Sequence, residues 1–294
     1  MLRDGYNSRD TIQTRTFEFD QCIIKVQFNP GRITSSAAKV DPKSIRQRQC
    51  FLCPANLPPE QLGVPFERNY LVLCNPFPIL PEHFTIPHVE HTPQQIVPSF
   101  DIMLRLAREL SPRYTVFYNG PRCGASAPDH MHFQAGTRSF MPIEQELPRL
   151  KEQAPSLAAS PNVSAVAVTN CLRKVIAIES SDHQALVCAF TTFHDAFERI
   201  TGADSEPMMN ILVTYDAPSW RVIIFPRGAH RPSFFFADAD EKILLSPGAV
   251  DFGGVVITPI EQDFRRLNKQ ILTQMFAETT VSDDMFQRLV TELQ

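Results

Sequence analysis

The sequence GASAPDHMHFQ, residues 124–134, contains the pattern that decides the fold of this chain. Its first half is rich in small residues and includes a proline, which is typical of a turn. Polar and apolar residues alternate from His130 onward, as in a strand with one face on the core. Because alternate residues of a strand share a face, His130, His132 and Gln134 are expected to lie on one side. The chain has only eight histidines, so two beside such a turn favour a functional site over an exposed strand edge.

A pair of cysteines further upstream, Cys50 and Cys53 in RQCFLCP, has the spacing of a metal half-site. From the spacing alone, a metal site, a redox pair and a chance arrangement are equally open. The cysteine count is odd and the polar amino terminus does not resemble a signal peptide, which favours reduced thiols over disulfides. The isolated cysteines, above all those in apolar surroundings, are expected to be buried: Cys22, Cys74, Cys123, Cys171 and Cys188.

The composition places the chain among globular proteins. Its 294 residues allow two domains of about 100–200 residues each. The hydrophobic fraction of 43% and the charged fraction of 20% argue against disorder and coiled coil. A net charge of −4 argues against a nucleic-acid partner, and no apolar run approaches the roughly 20 residues that cross a bilayer. We therefore expect a soluble, cytoplasmic protein without a membrane partner.

The first half is predicted to alternate strands with one helix. A capping box at Thr92 and Gln95, with Pro93 at the first helical position, predicts a helix from 92 to 110 that ends before Pro112. Strands are predicted at 17–28, 70–74, 83–86, 114–118 and 130–135. The proline-rich segment 142–161 is the best candidate for a linker.

The second half repeats the same order of elements without shared residue identity. A strand at 172–178 precedes a long helix that begins at a capping box of Ser181 and Gln184, and strands follow at 210–215 and 220–225. Two helical segments, 261–277 and 282–292, complete the chain. This order predicts an α+β fold of two related units, 1–150 and 162–294, with antiparallel sheets and helices packed on one side.

The segment GASAPDHMHFQ resembles the active-site strand of the histidine-triad superfamily, in its transferase branch. That branch includes galactose-1-phosphate uridylyltransferase, the dinucleoside polyphosphate phosphorylases and the GDP-hexose phosphorylases. Its pattern is a Gly/Ser turn followed by His-x-His-x-Gln, and its second histidine, here His132, attacks the α-phosphorus to form a covalent nucleotidyl-histidine. Hydrolase members carry a third histidine where this chain has Gln134, so the resemblance implies nucleotidyl transfer or phosphorolysis.

Further segments share this resemblance. HFTIPHVEH at 83–91, NPFP at 75–78 and LSPGAVDFGGVVITPIEQDF at 245–264 are similar to family segments. The resemblance implies a pseudo-dimeric chain in which the second unit is degenerate, since its strand at 220–225 lacks a histidine pair. The nucleotide-binding residues expected from it are Asn75, Phe77, Asn119, Gly124, Ala125, Ser126 and Arg227.

The resemblance also gives the cysteine pair its partners. In the uridylyltransferase, a C-x-x-C pair and two histidines bind a structural zinc, and the corresponding residues here are Cys50, Cys53, His91 and His130. His88 is an alternative to His91 as the third of these positions. The other histidines, His83, His183 and His194, are expected to be ordinary surface residues.

The expected chemistry follows from the residue types. A neutral imidazole at position 132 can attack phosphorus, and its other nitrogen should donate to a backbone carbonyl. Ser126 and the amides of its turn can hold phosphate oxygens, and Gln134 can bond the transferred phosphoryl group. Arg227, His230 and Arg231 either meet the anionic group of the acceptor or form an ordinary basic loop.

We therefore predict a nucleotidyltransferase or phosphorylase with ping-pong kinetics. Its substrates are expected to be a nucleotide-sugar or a dinucleoside polyphosphate, with phosphate or a sugar phosphate as acceptor. A nucleotide hydrolase and a non-catalytic protein that binds zinc and nucleotide are the alternatives. The sequence is compatible with either a monomer or a homodimer.

Overall fold

A computed structural model describes residues 6, 11–38, 40–157, 162–238 and 240–294. The strands are β1 Gln13–Glu18, β2 Ile23–Phe28, β3 Gly63–Phe66, β4 Tyr70–Cys74, β5 His83–Pro87, β6 Tyr114–Asn119, β7 His132–Thr137, β8 Val163–Val168, β9 Val175–Ser180, β10 Met209–Asp216, β11 Ser219–Pro226 and β12 Val255–Thr258. The helices are α1 Ile33–Ser36, α2 Pro42–Gln47, α3 Phe100–Glu109, α4 Ile143–Lys151, α5 His183–Thr201, α6 Ala249–Phe252, α7 Glu261–Arg266, α8 Lys269–Thr279 and α9 Asp283–Glu292.

One antiparallel sheet runs through both halves of the chain. Within the described residues it has nine strands, in the order β3-β4-β5-β7-β6-β10-β11-β9-β8. The halves meet where β6 pairs with β10, with Val116 opposite Val213 and Asn119 opposite Asn210. Because backbone hydrogen bonds of the ladder cross this boundary, the two halves form one structural unit.

The two halves have the same topology. In the first half, β4, β5, α3, β6 and β7 follow one another along the chain, and β6, β7, β5 and β4 lie in this order from the centre of the sheet outward. In the second half, β8, β9, α5, β10 and β11 repeat both the chain order and the spatial order. The predicted α+β fold of two related units is therefore confirmed.

The two equivalent helices lie on one face of the sheet, as predicted. Helix α5 begins where the Asp182 carboxylate accepts the Ala185 N–H at 3.0 Å, and it ends at Gly202, whose φ of 57° suits a residue without a side chain. Its Phe190 ring stacks on Phe100 of α3 with centroids 3.7 Å apart, so the helices of the two halves contact each other directly.

The other face of the nine-stranded sheet is covered by the amino-terminal hairpin and by segments that follow the sheet strands in the chain. The hairpin of β1 and β2 pairs with β12 to form a small second sheet. Helices α4, α6 and α8 complete a second core there, with Leu147, Phe252 and Phe276 buried in it. This layer brings residues from the end of the chain to the same face as the polar residues of β7.

Several sequence-based boundaries differ from the structure. The predicted strand 17–28 is the β1–β2 hairpin, and β8 was not predicted at all. The helix predicted from 92 begins at Phe100. Residues 92–95 belong to no helix or strand, and Glu206 accepts the Ile96 N–H at 2.6 Å where a short 3-10 turn begins. The cap of α5 is Asp182 rather than Ser181, and the predicted linker contains α4, which buries Leu147 and Leu150. The last four residues of the linker lie outside the described residues.

The solvent exposure of each cysteine depends on its position in these elements. Those described are free thiols, as expected, and Cys22 and Cys123 are buried. The prediction of burial is wrong for Cys74 and Cys188, which are exposed. Cys74 is the last residue of β4, and Cys188 lies on the outer side of α5. Among the described helices, none combines the length and apolar character needed to cross a membrane.

The contact between α3 and α5 gives a first prediction. Phe190→Ala should lower the free energy of unfolding by about 3–5 kcal/mol, because it leaves a cavity where the two helices meet. Urea unfolding followed by circular dichroism measures this loss. Glu198→Ala, an exposed change on the same helix, should stay within about 0.5 kcal/mol of the wild type. Equal losses in the two variants would contradict this account of the interface.

Candidate active site

The polar residues of β7 open into a cavity of about 710 Å³. One wall comes from the first half, and includes the turn before β7 and the segment at 75–77. The other wall comes from the last third of the chain, so both halves contribute to the site. The predicted residues that line this cavity are Asn75, Phe77, Asn119, Gly124, Ala125, Ser126, His132 and Gln134.

His132 is held in a single protonation form. Its ring Nδ1 donates to the backbone carbonyl of His130 at 2.8 Å, which leaves the Nε2 lone pair available. Burial lowers the pKa of His132 to about 4, although the hydrogen bond to the carbonyl of His130 opposes this shift. The imidazole is therefore neutral at pH 7 and can act as a nucleophile.

The backbone of His132 is fixed by Gln94, a residue that sequence reasoning missed. The Gln94 Oε1 accepts the His132 N–H at 2.8 Å, and its Nε2 donates to the carbonyls of His132 and Asn119 at 3.1 and 3.0 Å. Gln94 lies before the first turn of α3, in a segment that was predicted to be helical. No local signal indicates this role, since its partners lie 25 and 38 positions away.

Gln134 lies on the same side of β7 as His132, as the strand alternation predicted. Its Oε1 is 3.0 Å from Nε2 of His83 on the neighbouring strand β5. The expectation of a surface histidine at position 83 is wrong, since His83 has no solvent exposure. His194 is also buried, at 7% exposure, whereas His183 is partly exposed.

The turn before β7 depends on close backbone packing. Gly124 has a φ of +105°, and a Cβ there would lie 2.8 Å from the Cα of Gly248 and 3.0 Å from Oδ1 of Asn119. This Oδ1 accepts hydrogen bonds from Asn210 Nδ2 at 2.9 Å and from the Ala249 N–H at 2.8 Å. Within the described residues, the amide nitrogen of Asn119 makes no hydrogen bond, and Asn119 lines the cavity.

Arg227 does not line the cavity, contrary to the nucleotide-binding role expected for it. Its guanidinium is fully buried, and its donors contact Asn210 and the carbonyls of Thr279, Pro247, Ala229 and His230. All five N–H groups are thereby used within the protein. Arg227 contacts the site only indirectly. It donates to Asn210, and Asn210 donates to Asn119, which lines the cavity.

The segment NPFP is shaped by Asn75. Its Oδ1 accepts the Phe77 N–H at 2.8 Å, and its Nδ2 donates to Thr85 Oγ1 at 2.8 Å. These bonds form a tight turn that places Phe77 against the cavity. Asn75 therefore organises this wall as well as lining it.

Arg32, His230 and Arg231 line another wall of the cavity, and the two arginines give this wall its positive charge. Arg231 donates to Ser246 Oγ at 3.0 Å and to the Ala38 carbonyl at 3.2 Å, and Arg32 donates to the Phe77 carbonyl at 2.8 Å. Neither arginine forms an ion pair within the described residues. Burial, together with the charge of Arg231, lowers the pKa of His230 to about 3. Sequence reasoning singled out His230 and Arg231, but not Arg32.

The predicted metal ligands come together beside the turn. The ligand atoms of Cys50, Cys53, His91 and His130 all lie within 4.8 Å of one another, so this group could hold a metal ion. His130 Nδ1 is 3.2 Å from Cys50 Sγ, and His91 Nδ1 is 3.3 Å from Cys53 Sγ. His88 is not part of the group: its Nδ1 accepts the Glu90 N–H at 3.0 Å. The structure thus selects His91 over His88.

Comparisons with known proteins agree with this architecture. A family model described as a domain of unknown function, DUF4922, matches residues 1–137, which is just under half of the chain. Yeast Ap4A phosphorylase Apa2 in complex with Ap4A is 18% identical, with 95% of each chain covered and a TM-score of 0.59. The chain shares the fold of this phosphorylase. This likeness agrees with the predicted α+β fold of two related units.

Two other structures of the same yeast enzyme give similar values. Apa2 described without a ligand is 15% identical with a TM-score of 0.58, and covers 95% of this chain and 92% of its own. The complex with AMP is 16% identical with a TM-score of 0.54, covering 95% and 94%. A search of curated proteins found no sequence match to this chain.

The contrast between two arginines gives a second prediction. Arg227→Gln should lower the free energy of unfolding by about 3–5 kcal/mol, because it leaves buried acceptors without donors. Arg231→Gln should cost no more than about 1.5 kcal/mol, since this side chain is only partly buried. Chemical denaturation of both variants tests the assignment, and a mild effect of Arg227→Gln would contradict its structural role.

Proposed function

We propose that this protein transfers a nucleotidyl group from a dinucleoside polyphosphate to an acceptor phosphate through a covalent intermediate on His132. The observation that carries this proposal is the neutral His132, with its Nδ1 bonded to the His130 carbonyl and its Nε2 free, in a cavity with cationic walls. A nucleophile of this kind needs no separate base, because its lone pair is already available.

The reaction proceeds in two displacement steps. In the first, Nε2 of His132 forms a bond to the α-phosphorus, and the bond from that phosphorus to the bridging oxygen breaks. The remaining polyphosphate leaves with the electron pair, and the cationic nucleotidyl-imidazolium is stabilised by the hydrogen bond from Nδ1 to the His130 carbonyl. In the second, an oxygen of the acceptor phosphate attacks, the P–N bond breaks, and neutral His132 is restored.

The turn before β7 supports the developing charge. Ser126 and the backbone amides of Gly124 and Ala125 belong to the cavity wall beside His132. Donors fixed by the fold stabilise a transition state without reorganising at the moment of reaction. The amide nitrogen of Gln134 has no hydrogen-bond partner among the described residues, and it bonds an oxygen of the transferred phosphoryl group.

The proposed substrate class rests on the charge of the cavity. Arg32 and Arg231 have no carboxylate partner among the described residues, and they suit a chain of several phosphates. The yeast enzyme with the same fold is described as an Ap4A phosphorylase and is seen with Ap4A and with AMP. These observations favour a dinucleoside polyphosphate over a nucleotide-sugar as donor, and phosphate over a sugar phosphate as acceptor.

A third prediction concerns the covalent intermediate. Incubation with Ap4A in the absence of phosphate should add one nucleotidyl group to the protein, detected by intact mass spectrometry at neutral pH. The adduct should be absent in His132→Asn and present in His183→Asn, a histidine on the other face of the sheet. Its rate of formation should change less than about threefold between pH 8 and pH 5, because the pKa of His132 is about 4.

The response of the adduct to phosphate distinguishes a phosphorylase from a hydrolase. For a phosphorylase, phosphate should remove the adduct and yield a nucleoside diphosphate, whereas a hydrolase would release nucleoside monophosphate equally fast without phosphate. Nucleotide-sugars tested in parallel decide between the two donor classes. Binding of nucleotide without any adduct, for every donor, would identify a non-catalytic binding protein and would overturn the proposal.

We also propose that the Cys/His group binds a structural zinc ion. Two thiolates and two imidazoles suit tetrahedral zinc, in which sulfur and nitrogen ligands lie about 3.6 Å apart. The distances of 3.2, 3.3 and 3.6 Å between these atoms fit that geometry. The remaining ring nitrogens are also oriented: His130 Nε2 donates to the His88 carbonyl at 2.8 Å, and His91 Nε2 lies 3.6 Å from Asp129. The ion would join the loop at 50–53 to the segments before α3 and β7.

A fourth prediction tests this site. The purified protein should contain one zinc per chain by elemental analysis, and Cys50→Ser should lose it. Loss of the ion should lower the Tm by at least about 5 °C, because it joins three separate segments. Cys188→Ser, an exposed cysteine outside the group, should keep both the zinc content and the Tm. A metal-free wild-type protein with an unchanged Tm after chelation would contradict the assignment.

The proposed function also assigns different roles to the two halves of the chain. We assign the chemistry and the zinc site to residues 1–150, and the supporting wall of the cavity to residues 162–294. The free cysteines suit a reducing compartment, and the cytoplasm is therefore the expected location.

A further inference from the structure

His83 is a buried histidine that neither lines the cavity nor belongs to the metal group. Its side chain has 0% exposure, and its ring packs against Phe117 with centroids 5.7 Å apart. Its carbonyl accepts the Asn75 N–H at 2.8 Å as part of the ladder next to β4. A polar ring at this depth needs specific partners, and both of its nitrogens have one.

The two contacts of the ring determine where its proton lies. The Ile79 N–H donates to Nδ1 at 3.2 Å, so Nδ1 carries the lone pair. In the neutral ring the proton is then on Nε2, which donates to Oε1 of Gln134 at 3.0 Å. Burial and the nearby Arg32 charge lower the pKa of His83 to about 3, which keeps the ring neutral.

This arrangement fixes the direction of the Gln134 amide. With Oε1 turned toward His83, the amide nitrogen takes the opposite side, and it has no hydrogen-bond partner within the described part of the chain. Gln134 lines the cavity on the same side of β7 as His132. The only groups that its nitrogen can offer to a ligand are N–H donors.

We propose that His83 is a positioning residue that holds the Gln134 amide with its N–H groups toward the phosphoryl group bound at His132. This inference rests on the proposed function, since it assigns Gln134 a role in that reaction. His83 itself touches neither substrate nor the reacting atoms. Without it, the amide can rotate about its last bond and present its carbonyl oxygen to the phosphate, where like charges repel.

A double-mutant cycle provides the fifth prediction. His83→Leu should lower kcat about tenfold with little change in KM, because the hydrogen bond to the phosphoryl group is lost in the transition state. Gln134→Ala should cause a similar loss, and His83→Leu added to Gln134→Ala should cause almost no further loss. Independent losses that multiply in the double variant would overturn the proposal.

Two conservative variants separate positioning from packing. His83→Gln can place an N–H near the original Nε2 and should recover most of the wild-type kcat. His83→Asn can accept the Ile79 N–H but is too short to reach Gln134, so it should remain as slow as His83→Leu. The Tm of each variant identifies any general loss of structure. Equal activity of the two conservative variants would contradict the assigned contact.

A measurement that does not depend on enzyme activity tests the role of His83 separately from the proposed function. Nitrogen-15 spectra of the histidine rings should show His83 with its proton on Nε2, and Gln134→Ala should shift that resonance. If the protein forms no adduct with any donor, the proposed function fails while this test still stands. A proton on Nδ1 of His83, or no response to Gln134→Ala, would overturn the role of His83 even in an active enzyme.

Discussion

The hydrogen bond from Nδ1 of His132 to the His130 carbonyl connects the candidate chemistry to the rest of the fold. It forms only while the backbone from 130 to 132 keeps one conformation, and separate parts of the chain impose that conformation. The ring of His130 is held by Cys50 and by the His88 carbonyl, and the backbone of His132 is held by Gln94. The position of the available lone pair is therefore fixed before any ligand binds, which is the condition for an efficient nucleophile.

Among the described residues, only the first half combines this topology with a glycine turn and a histidine pair, and the reason lies in the connections between the strands. Residues 120–131 join β6 to β7 and provide the glycine turn, Ser126 and His130, whereas residues 217–218 alone join β10 to β11. A two-residue connection has no room for a turn that surrounds a phosphate. The second half contributes instead through Asn210, which lies opposite Asn119 across the central strand pair, and through Arg227, which holds Asn210.

The sequence predicted those features that depend on neighbours along the chain. Strand alternation placed His132 and Gln134 on one side of β7, and the order of elements predicted the two related units. The failures have a common physical cause. The pattern at Thr92 and Gln95 has the form of a helix cap, but Gln94 and Ile96 bond residues far away in sequence, and the helix begins only at Phe100. His83 and Arg227 were misjudged for the same reason, since burial and long-range partners define both roles.

The charges around the cavity are distributed unevenly, and this bears on how a polyphosphate would lie. At the end near the metal group, Arg48 is paired with Asp129 at 2.6 Å, so its charge is already compensated. At the other end, both oxygens of Asp251 accept backbone N–H groups of Gly248 and Ile257, and burial raises the pKa of this carboxyl to about 6. Neither Arg32 nor Arg231 forms an ion pair with a described residue, so their charges are compensated less directly than that of Arg48. Because an anion gains most where no internal partner must be displaced, the phosphate chain of the proposed substrate would be best accommodated toward these two arginines and away from the Cys/His group.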